Sequence, residues 1–91
     1  MKIWCVEDDS SIRDIEVYTL NSTGFAARGF ADGAAFRAAL ETEEPDLVVL
    51  DVMLPGESGV ELLQFLRGNP ATAEIPIIMA TAKGMEYDKR S

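Results

Sequence analysis

The sequence predicts an α/β domain, a parallel sheet covered by helices. Three observations carry this. First, the apolar runs Ile3-Trp4-Cys5-Val6, Phe25 to Ala31, Leu47-Val48-Val49-Leu50 and Ile75 to Ala80 alternate with segments of helical periodicity, in the order β-α-β-α-β-α-β. Second, the connections are short, with no repeat, linker or low-complexity tract. Third, the first and third runs both end on acids, Glu7-Asp8-Asp9 and Asp51. Right-handed crossovers would bring the carboxyl ends of those two strands side by side.

Ile3 to Val6 reads as the first strand, buried, with Cys5 a small reduced hydrophobe inside it. Ser10 or Asp9 can cap the helix that follows, and Asp14 and Glu16 keep its first half acidic, as the helix dipole prefers. Ile12 and Ile15 fall at helical spacing, with Tyr18 or Thr19 continuing the stripe, and Gly24 stops the helix. Tyr18 and Tyr87 are expected at the surface, and Trp4 in the core.

Phe25 to Ala31 is a weaker strand, because Gly29 and the alanines pack little. The next helix begins at Asp32-Gly33 with Ala35, Phe36, Ala39 and Leu40 on its apolar face, and ends before Pro45. The central run from Leu47 to Leu50 predicts a strand buried on both faces, and Pro55-Gly56 then turns the chain. Gly59 or Val60 to Arg67 is a helix with Leu62, Leu63, Phe65 and Leu66 on its apolar side. Ile75 to Ala80 is the last strand, with Pro76 tolerable near its start. Ala82 to Ser91 is expected to hold a loop and at most one helical turn.

With 91 residues there is room for one small domain. Sixteen acids against 8 bases give a net charge of −8, which speaks against direct contact with nucleic-acid phosphates and suits a site that collects cations. Histidine is absent, which removes the commonest zinc ligand and general base. A single cysteine fits a reducing cytoplasm. No stretch approaches the ~20 apolar residues of a membrane span, and no signal-peptide pattern opens the chain.

Glu7, Asp8 and Asp51 are therefore expected to converge. Two carboxylates ~5 Å apart at an effective dielectric of ~20 repel by roughly 3 kcal/mol, about two pKa units. Three of them need a cation or a bound proton. Hard oxygen ligands with open positions suit Mg²⁺. A carboxylate beside Mg²⁺ is a plausible phosphoryl acceptor, and Thr81, at the end of the neighbouring strand, offers a hydroxyl. Asp9, Asp32 and Asp46 read instead as solvated cap or strand-end residues.

Val6-Glu7-Asp8-Asp9, the run Asp51-Val52-Met53-Leu54-Pro55-Gly56-Glu57-Ser58-Gly59, and Met79-Ala80-Thr81-Ala82-Lys83-Gly84 resemble the receiver domain of two-component response regulators. The resemblance covers essentially the whole chain. It implies a flavodoxin-like (CheY-like) doubly wound parallel sheet of order 2-1-3-4-5, with Asp51 as phospho-acceptor. It further implies Mg²⁺ on Asp8, Asp51 and the Met53 carbonyl, with Glu7 acting through water, and Thr81 as the switch hydroxyl. Pro55 and Gly59 would shape the loop after the acceptor. The implied partner is a sensor histidine kinase, with no nucleic-acid or membrane contact by this domain.

The family continues through a further helix, strand and helix, whereas ten residues follow Thr81 here. Residues 1–91 are thus expected to form a single, C-terminally truncated receiver domain without the family's catalytic lysine. Lys83 reads as a solvated loop residue. Truncation would leave the strand ending at Ala80 as an exposed apolar edge, open to self-association or element swapping.

Two other readings compete with a phospho-acceptor module that is not a turnover enzyme. An aspartyl phosphatase of the haloacid dehalogenase type would need an acid two residues after Asp51, where Met53 stands. A degenerate receiver could serve as a non-phosphorylated interaction module or be a fragment.

Overall fold

The computed structural model describes residues 1–52, 54, 56, 58–81 and 84–88, with Thr81 and 84–88 given by their backbone. The elements are β1 (Lys2–Val6), α1 (Ser10–Ser22), β2 (Ala26–Phe30), α2 (Gly33–Leu40), β3 (Leu47–Asp51), α3 (Gly59–Gly68), β4 (Ile77–Thr81) and β5 (Gly84–Asp88). The sheet order is β2-β1-β3-β4-β5. Strands β1 to β4 are all parallel. The expected α/β alternation and the crossover of β3 to the far side of β1 are both present.

Helix starts follow the chemistry of their first residues. Asp9 caps α1, its carboxylate accepting from the Ser11 and Ile12 amides at 2.9 and 3.1 Å. Asp32 accepts from the Ala35 amide at 2.8 Å, and Ser58 from the Glu61 amide at 3.2 Å. Gly24 ends α1 with φ 99°, a conformation that disfavours a side chain.

The core lies on one face of the sheet. Trp4 and Val6 of β1, Phe30 of β2, Val48 and Leu50 of β3, and Ile77 of β4 meet Phe36 of α2 with Leu62 and Leu66 of α3. Trp4, Phe30 and Phe36 form a mutually tilted aromatic trio with ring centroids 5.1 to 5.9 Å apart.

Three expectations are corrected. The central strand is not buried on both faces: Val48 and Leu50 are buried, whereas Leu47 and Val49 are half-buried. The reason is coverage, since among the described residues α1 packs on β1 and β2 rather than on β3. Second, α1 does not turn the Ile12–Ile15 stripe inward. Ile12, Ile15 and Tyr18 are 47%, 66% and 74% exposed, and the less exposed positions are Arg13, Glu16, Val17 and Leu20. Third, β4 is not an open edge. Gly84–Asp88 returns antiparallel to it, with Thr81 opposite Gly84 and Ile77 opposite Asp88, where a loop and a helical turn were expected. That strand occupies the place that the implied 2-1-3-4-5 order gives to a parallel strand, and it removes the reason for self-association through β4.

Candidate functional site

The register of the sheet sets the site. Val6 is paired with Leu50 and with Phe30, and Asp51 with Ala80. The residues that follow Val6 and Leu50 therefore leave the carboxyl edge next to each other, and they are Glu7 and Asp51. The Glu7 amide still donates to the Phe30 carbonyl at 2.9 Å, which extends the β1–β2 ladder one residue into the acidic segment.

One carboxylate oxygen from each of Glu7, Asp8 and Asp51 lies within 4.8 Å of the others. Glu7 is buried at 8% exposure, Asp51 is half-buried and Asp8 is exposed. The geometry thus brings together the three acids singled out from the sequence. Their donor set fits a hard divalent cation: all ligand atoms are carboxylate oxygens, and the exposed Asp8 leaves one side of the cluster open to water.

The electrostatics bear the mark of crowding. Burial, followed by the adjoining Asp51 and Asp8, pushes the Glu7 carboxyl up to about 7, although the Asp9 amide works in the opposite direction by donating to its Oε2 at 3.2 Å. A proton held on Glu7 would lower the repulsion among the three carboxylates.

A fourth carboxylate lies nearby and was not singled out as a site residue. Glu16 was read only as one of the acids that suit the first half of α1, and the helix turns it toward the sheet. Burial and then the charge of Asp51 raise its carboxyl above the ordinary range. Its Oε1 is buried without a hydrogen-bond partner among the described residues. Burial, with Glu16 adding to it, pushes the neighbouring Cys5 thiol up to about 12, so this cysteine is an inert core group. The misread rotation of α1 concealed Glu16; a helix stripe of Arg13, Glu16, Val17 and Leu20 carries too little apolar character to declare itself.

The loop after Asp51 passes very close to α3. A Cβ on Gly59 would sit 2.9 Å from the Asp51 carbonyl carbon and the Val52 Cα, and the Gly59 amide donates to the Val52 carbonyl at 2.8 Å. Gly56 takes φ 83°, as the expected turn requires. Met53, Pro55 and Lys83 lie outside the described residues, as does the Thr81 side chain. The Thr81 backbone ends β4, beside β3 at the same edge as Asp51.

A family model described as the response regulator receiver domain matches residues 3–91. Among curated proteins, the transcriptional regulatory protein GltR of Pseudomonas aeruginosa is 44% identical over 87 residues, covering 96% of this chain and 36% of that protein. The phosphate regulon transcriptional regulatory protein PhoB of Rhizobium meliloti is 41% identical over 88 residues, covering 97% of this chain and 39% of PhoB. The chain thus spans well under half the length of these relatives.

Among solved structures, the signal receiver domain of a histidine kinase from Syntrophus aciditrophicus superposes with a TM-score of 0.84 at 30% identity, covering 88% of this chain and 61% of that one. The response regulator TrrA of Thermotoga maritima, solved in complex with Mg²⁺-BeF, gives 0.80 at 28% identity, covering 89% and 69%.

Proposed function

Since this chain belongs to the response regulator receiver domain family, we propose that it is a phospho-acceptor module of two-component signal transduction, a switch rather than a turnover enzyme. In this reading residues 1–91 act as one receiver domain in the cytoplasm. A sensor histidine kinase donates a phosphoryl group to Asp51. The observation that carries the reading is the convergence of the Glu7, Asp8 and Asp51 oxygens within 4.8 Å at the end of two adjacent parallel strands.

Asp8 and Asp51 would hold Mg²⁺ directly, with the Met53 carbonyl as a further ligand and Glu7 acting through water. Bound there, the ion supplies positive charge against the carboxylates and the incoming phosphoryl oxygens. The chain's own groups do the rest. An Asp51 carboxylate oxygen attacks phosphorus, the bond from phosphorus to the donor nitrogen breaks, and the electron pair leaves with that nitrogen. The product is an acyl phosphate on Asp51. A cation held there would favour the ionised form of Glu7, whose carboxylate accepts from the Asp9 amide. Thr81 is assigned the hydroxyl that meets the phosphoryl group. The net charge of −8 supports a module without direct nucleic-acid contact, and among the described residues no helix is long and apolar enough to cross a membrane.

The test is intact-mass measurement after incubation with Mg²⁺ and a small acyl-phosphate donor, beside Asp51→Asn. A single Mg²⁺-dependent phosphoryl adduct that the variant lacks is expected. An unmodified wild type that nonetheless binds Mg²⁺ would favour the other reading, a receiver serving as a non-phosphorylated interaction module.

A further inference from the structure

Arg13 is the only cation among the inward-facing positions of α1, and its placement has no explanation in core packing. Its guanidinium Nη1 donates to the Glu7 carbonyl at 2.8 Å and lies 3.5 Å from the Asp8 carbonyl. These carbonyls belong to the two residues whose carboxylates point at Asp51. The side chain reaches them by crossing β2 at Gly29. A Cβ there would sit 2.7 Å from Arg13 Cγ and 2.9 Å from Cδ, with Val17 Cγ2 at 3.1 Å. These are mid-chain atoms, which cannot swing aside without moving the guanidinium. Gly29 is therefore a notch in β2 that seats the arginine stem.

We infer that Arg13, seated in the Gly29 notch, is a positioning residue that fixes the β1–α1 loop so that Glu7 and Asp8 present their carboxylates to Asp51. Two contacts act together. The guanidinium satisfies the Glu7 carbonyl, one residue past the end of the β1 pairing, with a charge-assisted bond of the stronger kind. Its second contact, at 3.5 Å to the Asp8 carbonyl, brings the following residue of the loop under the same guanidinium. The fold uses the same device elsewhere: Arg67 of α3 donates to the Ala73 and Ile75 carbonyls at 2.9 and 2.8 Å and ties down the segment before β4. Arg67 is therefore a built-in control for a clamp that does not touch the acidic loop.

The inference rests on the metal-site reading above only for its affinity arm, so the test has two arms. In metal-free protein, amide hydrogen exchange is measured for Glu7 and Asp9, whose amides donate to the Phe30 carbonyl and to Glu7 Oε2. In the second arm, Mg²⁺ affinity is measured by calorimetry well below the melting temperature. Arg13→Ala, and Arg13→Gln should alanine fail to fold, is expected to speed exchange in this loop about tenfold and to weaken Mg²⁺ binding by a similar factor. Arg13→Lys, which still reaches one carbonyl, regains part of both losses. Arg67→Gln leaves both unchanged.

Gly29→Ala separates a clamp from general destabilisation. It is expected to loosen the loop when Arg13 is present and to have no further effect on loop exchange in Arg13→Ala, because the added Cβ then meets only Val17 Cγ2 and no longer the arginine stem. Unchanged loop exchange in both Arg13 variants, or additive effects of Gly29→Ala and Arg13→Ala, would overturn the inference. A wild type that binds no Mg²⁺ would overturn the metal-site reading instead, and the exchange arm would still decide the role of Arg13.

Discussion

Replacing the acceptor should make the cation-free protein more stable, not less. With ligand oxygens up to 4.8 Å apart, each pair of carboxylates repels by about 3.5 kcal/mol at an effective dielectric of ~20. Asp8 is exposed and Asp51 only half-buried, so solvent screening reduces the net effect to roughly 1 kcal/mol per pair. Asp51 takes part in two of the three pairs. Asp51→Asn keeps the shape and removes the charge, so the gain is about 1–2 kcal/mol. For a domain of 91 residues that is a rise in melting temperature of about 5–10 °C. The assay is thermal unfolding by circular dichroism at pH 8 in chelator and low salt. Added Mg²⁺ should then reverse the order: at a hundred times its Kd it stabilises the wild type by about 2.7 kcal/mol, and the variant by much less. A variant that melts at or below the wild type in chelator would refute the reasoning, because the three acids would then not be repelling one another.

The raised Glu7 carboxyl, up to about 7 from an ordinary 4.5, means that the native state holds this proton more tightly than the unfolded chain. Its stabilising contribution is complete below pH 4.5 and is lost as pH rises through 7, a difference of roughly 1–3 kcal/mol. Urea midpoints at pH 5 and 8 should show that loss in cation-free wild type and not in Glu7→Gln, while Mg²⁺ affinity rises across the same interval. Identical pH trends in the two proteins would sink the assignment. Gly59→Ala forces a Cβ against the Asp51 carbonyl carbon and Val52 Cα at 2.9 Å, so it should lower stability by about 3 kcal/mol or more in denaturant melts. Leu62→Ala, at a fully buried position, should cost about 3–5 kcal/mol, enough to leave much of so small a domain unfolded at 37 °C by circular dichroism.

What could be read from the chain, and what could not, divides along a physical line. Strands β1 and β3 announce themselves because four apolar residues ending on an acid satisfy both burial and the need of a charge to reach water. Their parallel pairing then follows from the intervening helix, and the meeting of Glu7, Asp8 and Asp51 follows from the pairing. The two-sided burial of β3 did not follow, because a run of apolar residues says that a strand can be covered and not that a helix is there to cover it. β5 left no clear trace, since Gly84 to Asp88 has the length of a loop and gains its structure only by pairing with β4. The rotation of α1 is the instructive failure. Ile12 and Ile15 gave a hydrophobic stripe, and a core-seeking helix would have buried it. The helix instead directs Arg13 and Glu16 toward the sheet, at the expense of exposing two isoleucines. Burial alone does not favour that orientation. It becomes intelligible when α1 is taken as a support for the acidic edge, with one charged side chain under its loop and another near Asp51. Periodicity fails at this helix because its less exposed side mixes Val17 and Leu20 with Arg13 and Glu16, so the apolar spacing of Ile12 and Ile15 does not mark the face turned inward.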